Sequence, residues 1–274
     1  MMPAQDLTAR QLLDFYLEAG ADALVGEEAI DRFAAADEPA APRAARAPLP
    51  AAAMTDNARP NPTTQQAAPQ ATDDAILAAR AAARSASSLD ELRAVLEKFE
   101  GCALKGSATR LVFADGNPAA KIMVVGEAPG RDEDIEGIPF VGRAGKLLDR
   151  MLAAIGLDRT SVYLANVVPW RPPGNRTPTP QETQICLPFV LRQIELANPD
   201  ILICLGQLSA QALLDTKDSI SKTRGHWFTF NAGNFEKREI RAMPTFHPAF
   251  LLRSPLQKRF AWRDLLSIKK ALAE

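Results

Sequence analysis

Long apolar stretches are missing from this 274-residue chain. A membrane-spanning helix needs about 20 consecutive apolar residues, and no run here approaches that length, which excludes one. The amino terminus, MMPAQDLTAR, opens on polar residues and continues as an amphipathic pattern, not as a charged start followed by an apolar block. A soluble, cytoplasmic protein is therefore expected. Cysteine is scarce, at three, and the odd count argues against a disulfide framework. Cys204 lies inside the apolar run ILICLG and reads as a buried thiol. Cys102 and Cys186 leave a metal or cluster site open. Only two histidines occur, His226 and His247. No charge sign dominates either, since the formal net charge is -1.

That near-neutral balance hides a division. Residues 1–74 carry 5 Lys/Arg against 12 Asp/Glu, a net of -7, and residues 75–274 carry the remaining 27 against 21, a net of +6. A basic body behind an acidic segment suits a domain that meets phosphates. Leu7, Leu12, Leu13, Phe15, Tyr16, Leu24, Ile30 and Phe33 recur at roughly helical spacing, broken at Gly20 and Gly26. This predicts a short helical segment over 1–34. The Ala/Pro-rich residues 35–72 cannot build a core and read as a flexible linker. Residues 73–274 are then the main domain. Its start, TDDAILAARAAARSASSLDELRAVLEKF, predicts two helices around a Ser-rich break, the second capped near Ser88 or Asp90.

Four short, β-branched-rich runs follow: IMVVG (122–126), VYLANVV (162–168), ILICLG (201–206) and IRAMPTF (240–246). Helical patterns separate most of them, and WFTF (227–230) offers an additional strand or hairpin arm. Alternation of this kind predicts an α/β fold, a three-layer α/β/α sandwich around a central, mainly parallel four-stranded sheet. Ligands of such sheets bind beyond the carboxyl ends of the strands, and the unusual residues fall there.

The first strand runs into GEAPGRDEDIEGIPFVGRAG (126–145), whose glycines and proline force a tight loop with exposed amides. The loop is a plain turn, a seat for a small ligand, or a phosphate cradle. No Lys-Ser/Thr pair stands at Walker spacing, which counts against a nucleotide triphosphatase. The second strand ends in NVVPWRPPGNRTPTP (166–180), where Asn166 leads into a polar, proline-stiffened loop and reads either as a cap or turn residue or as a ligand-reading side chain. Its planar amide offers one donor and one acceptor, the complement of uracil's O4 and N3–H and the opposite of what cytosine presents. The fourth strand ends in HPAFLLRSP, where His247 is placed to donate a hydrogen bond to charge developing on a leaving base. His226 reads as a surface or core residue, with a DNA contact as the other option.

GEAPG with a downstream IPFVG, then N-x-V-x-x-R-P-P-G-N-R-T-P-T-P, then HP-x-x-LLR resemble in order and spacing the motifs of family 4 uracil-DNA glycosylases. The resemblance runs from about Leu92 to Ala273. It implies a monofunctional glycosylase that hydrolyses the N-glycosidic bond of a flipped-out uracil in DNA. By it, Glu127 positions or activates the attacking water. Gly126 and Ala128 hold the base with their backbone, Phe140 stacks on it, Asn166 reads its edge, and Glu133 lies near C5, where it excludes thymine. His247 stabilises the departing anion. Leu251, Leu252 and Arg253 are the candidate wedge into the duplex, with Arg171, Arg176, Lys258, Arg259 and Arg263 toward phosphates.

Members of family 4 hold a four-iron, four-sulfur cluster on four cysteines, but the matching positions here read Phe99, Cys102, Trp170 and Cys186. Two thiolates are gone, so no cluster is expected, and Phe99 and Trp170 are expected to fill its volume. A related branch binds uracil-DNA covalently through a histidine on an inserted loop. WRPPGNRTPTP has neither insertion nor histidine, so that behaviour is not expected. A monomer is expected, with uracil-containing DNA as its partner and a possible protein partner for the acidic segment. Two other readings stand beside this one: a non-catalytic damaged-DNA binder, and a glycosylase for another deaminated base.

Overall fold

The computed structural model describes residues 69–231 and 239–272. These fall within one of the chain's two units, Thr63 to Glu274. The helical segment expected over 1–34 and all but the end of the expected linker lie outside the described residues. The first helix of the described residues begins at Pro69, inside the stretch read as linker.

In chain order the helices are α1 (Pro69–Ser85), α2 (Leu89–Lys98), α3 (Leu104–Ser107), α4 (Arg131–Glu136) and α5 (Arg143–Ala153). They continue as α6 (Pro180–Ala197), α7 (Gln207–Leu214), α8 (Ile220–Thr223), α9 (Pro248–Arg253) and α10 (Lys258–Leu272). The strands are β1 (Asp115–Gly116), β2 (Ile122–Gly126), β3 (Tyr163–Asn166), β4 (Ile201–Leu205), β5 (Phe228–Asn231) and β6 (Glu239–Thr245). Local chemistry fixes several ends. Ser88 caps α2 by accepting from the Glu91 amide at 3.2 Å, and Thr179 and Glu182 close a capping box ahead of Pro180 at the start of α6. Among the described residues, no helix is long and apolar enough to cross a membrane.

The sheet has six strands in the order β1-β3-β2-β4-β6-β5. Its central four, β3, β2, β4 and β6, run parallel and correspond to the four apolar runs of the sequence. Two antiparallel edge strands extend the expected four: β5, which grows from the WFTF segment, and β1. A two-residue Asp-Gly strand has no periodicity to detect, so β1 was invisible in the sequence.

β2 and β4 are buried at every position, as continuous apolar runs must be when both faces of a sheet are covered. Met123 and Val125 join one core with Leu92, Leu96, Phe189 and Ile194 of α2 and α6. Ile122 and Val124, of opposite parity, join the other with Leu148, Leu152, Leu265 and Ile268 of α5 and α10. This is the expected α/β/α layering.

From β2 the chain crosses to β3 on one side, and from β4 it proceeds to β6 on the other. The switch point lies between β2 and β4, where a crevice opens beyond the carboxyl ends. Residues 126–130 and 206–208 meet there.

Candidate active site

Glu127 follows the last residue of β2, and its Oε1 accepts the Leu208 amide at 3.3 Å, at the start of α7. Burial pushes its carboxyl above the usual range, while the amides of Leu208 and Gln207 and the charge of Arg253 pull the other way. Gly206, at φ 92°, makes this approach possible. A side chain there would collide with Glu127 Oε1 and come within 3.2 Å of His247 Cβ. Glu127, Ala128, Gly130, Glu133, His247 and Arg253 are among the residues lining a cleft of about 600 Å³.

Asn166 and Phe140 converge on Gly126. The parallel register sets Gly126 beside Asn166. A Cβ on Gly126 would stand 2.5 Å from Asn166 Oδ1 and 2.6 Å from Phe140 Cζ. Glycine is thus required because a planar amide and an aromatic ring occupy its side-chain space. Phe140 lies in the left-handed region at φ 58°, and its ring centroid is 6.1 Å from that of His247 at an interplanar angle of 32°.

His247 sits just past β6 and caps α9, its Nδ1 accepting the Ala249 amide at 3.1 Å. An Nδ1 that accepts carries no proton, so the neutral ring is protonated at Nε2 and has that N–H left to donate. Burial, assisted by Arg253, pushes its pKa down to about 4. At neutral pH the site therefore pairs a buried carboxyl group with a neutral imidazole.

Glu133 lines the cleft, but both its oxygens are engaged: Oε2 accepts the Gly130 amide at 3.1 Å and Oε1 the Gly142 amide at 3.0 Å. It braces the GEAPG loop against the start of α5. Next to it, buried Asp134 accepts from the Thr109 amide at 2.8 Å and the Thr109 hydroxyl at 2.9 Å, which ties α4 down from the other side.

The nucleic-acid-facing candidates separate. Leu251 is 1% exposed and belongs to the α5/α10 core, so it is not available as a wedge; α9 turns that position inward. Leu252, one residue on, is 37% exposed, and Leu256 in the following turn is 84% exposed. Arg253 is exposed on the cleft lining. Lys258 and Arg259 are exposed at the start of α10, and the Arg259 guanidinium lies 4.7 Å from the Phe260 ring. Arg176 pairs with Glu182 at 2.6 Å, and Arg171 donates to Asn175 Oδ1 at 2.7 Å.

Cys102 and Cys186 face each other with Sγ atoms 3.8 Å apart, the Cys186 thiol donating. Trp170 is buried in the same core, as is Phe99, whose ring packs on Phe189 at a centroid distance of 4.9 Å. Two thiols with two aromatic rings do not form a four-thiolate set, and no group of three or more His, Cys, Asp or Glu among the described residues is arranged to hold a metal ion.

The site residue that sequence reasoning missed is Gly206, with the amides of residues 207 and 208. The ILICLG run ends there, and it is the parallel-strand terminus that bears no conspicuous side chain.

Residues 113–266 match the family model of the uracil DNA glycosylase superfamily. The chain is 44% identical over 160 residues to a type-4 uracil-DNA glycosylase of Thermotoga maritima, covering 58% of this chain and 80% of the relative. It is 41% identical over 172 residues to that of Archaeoglobus fulgidus, covering 61% and 85%. Over 190 residues it is 40% identical to that of Saccharolobus solfataricus, covering 68% and 87%.

Proposed function

Because the chain belongs to the uracil DNA glycosylase superfamily, we propose that it is a uracil-DNA glycosylase whose chemistry resides in the cleft at the β2/β4 switch point. The observation that carries this reading is the convergence of three strand ends: Glu127 and His247 line one cleft, and Asn166 and Phe140, the latter from the connection between α4 and α5, meet at Gly126 beside them.

The bond between C1′ and N1 breaks with its electron pair leaving on the base, so charge develops as an oxocarbenium sugar and a uracil anion. The His247 Nε2–H, a neutral donor in a buried setting, stabilises the anion without surrendering its proton. The Glu127 carboxylate lies on the side of the sugar cation and takes the proton of the attacking water. Phe140 stacks on the extruded base, Asn166 reads its O4 and N3–H edge, and the backbone of Gly126 and Ala128 lies against it. Glu133 acts on thymine exclusion through the shape of the loop it braces. Arg253, Lys258 and Arg259 face the phosphates, and Leu252 and Leu256 are the exposed apolar side chains suited to fill the gap left by the base. A DNA substrate suits a monomeric, cytoplasmic enzyme.

The test is incubation with a uracil-containing oligonucleotide, followed by alkali and measurement of strand scission. His247→Ala is expected to lower kcat by about 10²–10³-fold, the effect of deleting one preorganised donor to a developing anion. Excision that survives combined His247→Ala and Asn166→Ala would place the reaction elsewhere.

The enzyme works without an iron–sulfur cluster in this reading, supported by the aromatic residues packed where two ligands would stand. Trp170→Ala is expected to destabilise the domain by about 3–5 kcal/mol in denaturant titration, as for a large buried aromatic. Purified protein that is brown, with stoichiometric iron and sulfide, would overturn the cluster-free assignment.

A further inference from the structure

Arg159 lies outside every motif, in the connection from α5 to β3, yet each of its three guanidinium nitrogens is engaged. Nη1 donates to Asp115 Oδ2 at 2.6 Å and to the Pro139 carbonyl at 3.2 Å. Nε donates to Asp149 Oδ1 at 2.9 Å and Nη2 to Asp149 Oδ2 at 3.4 Å. Nη2 also donates to the carbonyl of Phe140. The two carboxylates come from β1 and α5 and fix the planar fork; the two carbonyls are what the fork then holds.

Those carbonyls flank a strained position. A bulky residue in the left-handed region persists only where its surroundings over-determine it. At Phe140, φ is 58°. Gly145 supplies a second restraint: a Cβ there would overlap the Phe140 carbonyl, so α5 packs directly against the carbonyl that Arg159 Nη2 also holds. Rotating the 139–140 peptide out of this conformation would swing the ring away from Gly126, Asn166 and His247.

We propose that Arg159 is a positioning residue for base binding, clamping the carbonyls of Pro139 and Phe140 so that the Phe140 ring is held against Gly126 as a preformed platform. The inference rests on the reading of Phe140 as the surface on which uracil stacks. It accounts for why a charged side chain that does not line the cleft takes up both carbonyls next to the platform.

The experiment is a double-mutant cycle of Arg159→Met and Phe140→Ala in the full chain, reading inhibition by free uracil, KM and kcat on a uracil oligonucleotide, and thermal stability. Phe140→Ala is expected to weaken inhibition by uracil about tenfold or more, the effect of losing one base–aromatic stack. Arg159→Met is expected to weaken it about tenfold with Phe140 present and less than twofold with Phe140 absent, while lowering the melting temperature on both backgrounds. Equal losses on the two backgrounds would overturn the positioning role and leave Phe140 as the platform. No effect of Phe140→Ala would remove the stacking reading and this inference with it. If Arg159→Met does not fold, Arg159→Lys, which keeps the charge but lacks the fork, enters the same cycle under the same criterion.

Discussion

Replacing Glu127 by Gln is expected to lower kcat for uracil excision by about 10³-fold, within the 10²–10⁴ range for a positioned acid or base, while leaving the domain as stable or more so. The amide keeps an oxygen for the Leu208 N–H, so the crevice at the switch point stays closed. What is lost, in the proposed mechanism, is the base that accepts the proton of water. The stability side follows from burial, which raises this carboxyl's pKa above its ordinary 4.5. Above that value the unfolded chain holds fewer protons than the native one, so stability falls as pH rises through the native pKa. Glutamine has no charge to desolvate, and the variant escapes that loss. The same shift sets the acid limb of kcat/KM: activity of the parent should fall as pH drops through a midpoint above 4.5, before His247, at about 4, takes up a proton. In Glu127→Gln that limb should disappear and leave a small, flat residual rate down to the imidazole's own transition. Single-turnover rates across pH, with melting curves on the same samples, decide it. A variant that loses activity and stability together would mean that Glu127 is a structural residue.

The second large effect concerns which base is cut. Asn166→Asp is expected to lower the single-turnover rate on uracil by about 10³-fold and to make cytosine excision measurable. A site built to hydrogen-bond one edge disfavours the wrong edge by about 10⁴–10⁵-fold. Uracil needs a donor for O4 and an acceptor for N3–H. A carboxylate offers acceptors only, which suit the amino group of cytosine. The change is nearly isosteric, so the contact with Gly126 and Phe140 should persist and the effect should be chemical. Parallel losses on both bases, with their ratio unchanged, would show that Asn166 serves packing instead of reading.

Much of this was legible because β strands buried on both faces announce themselves. The runs at 122–126 and 201–206 are apolar at nearly every position, and the residues just beyond them carry the polar chemistry. His247 stands out because it follows the end of an apolar run, and Asn166 because it is the lone polar side chain inside one, VYLANVV. The sequence was silent where geometry is set by contacts between distant segments. Leu251 and Leu252 are indistinguishable as letters; only the packing of α9 on α5 and α10 decides which one faces water. Glu133 looked like a contact for the base, but two amides, three and nine residues along the chain, claim its oxygens. Gly206 has no side chain to notice, and its role exists only because Glu127 arrives from a strand 81 residues earlier than the Leu208 amide that receives it.

That last separation couples catalytic competence to completion of the sheet. The carboxyl on β2 finds its amide partners only after β4 has paired, and the imidazole beyond β6 comes next to it only after the final parallel strand has docked. Fragments ending before residue 247 contain most of the cleft wall but no complete constellation. Partially folded chains, whose non-local pairings form late, therefore pass through synthesis unable to cleave bases. In the proposed mechanism, recovery of excision on refolding is therefore expected to follow the return of the complete parallel sheet.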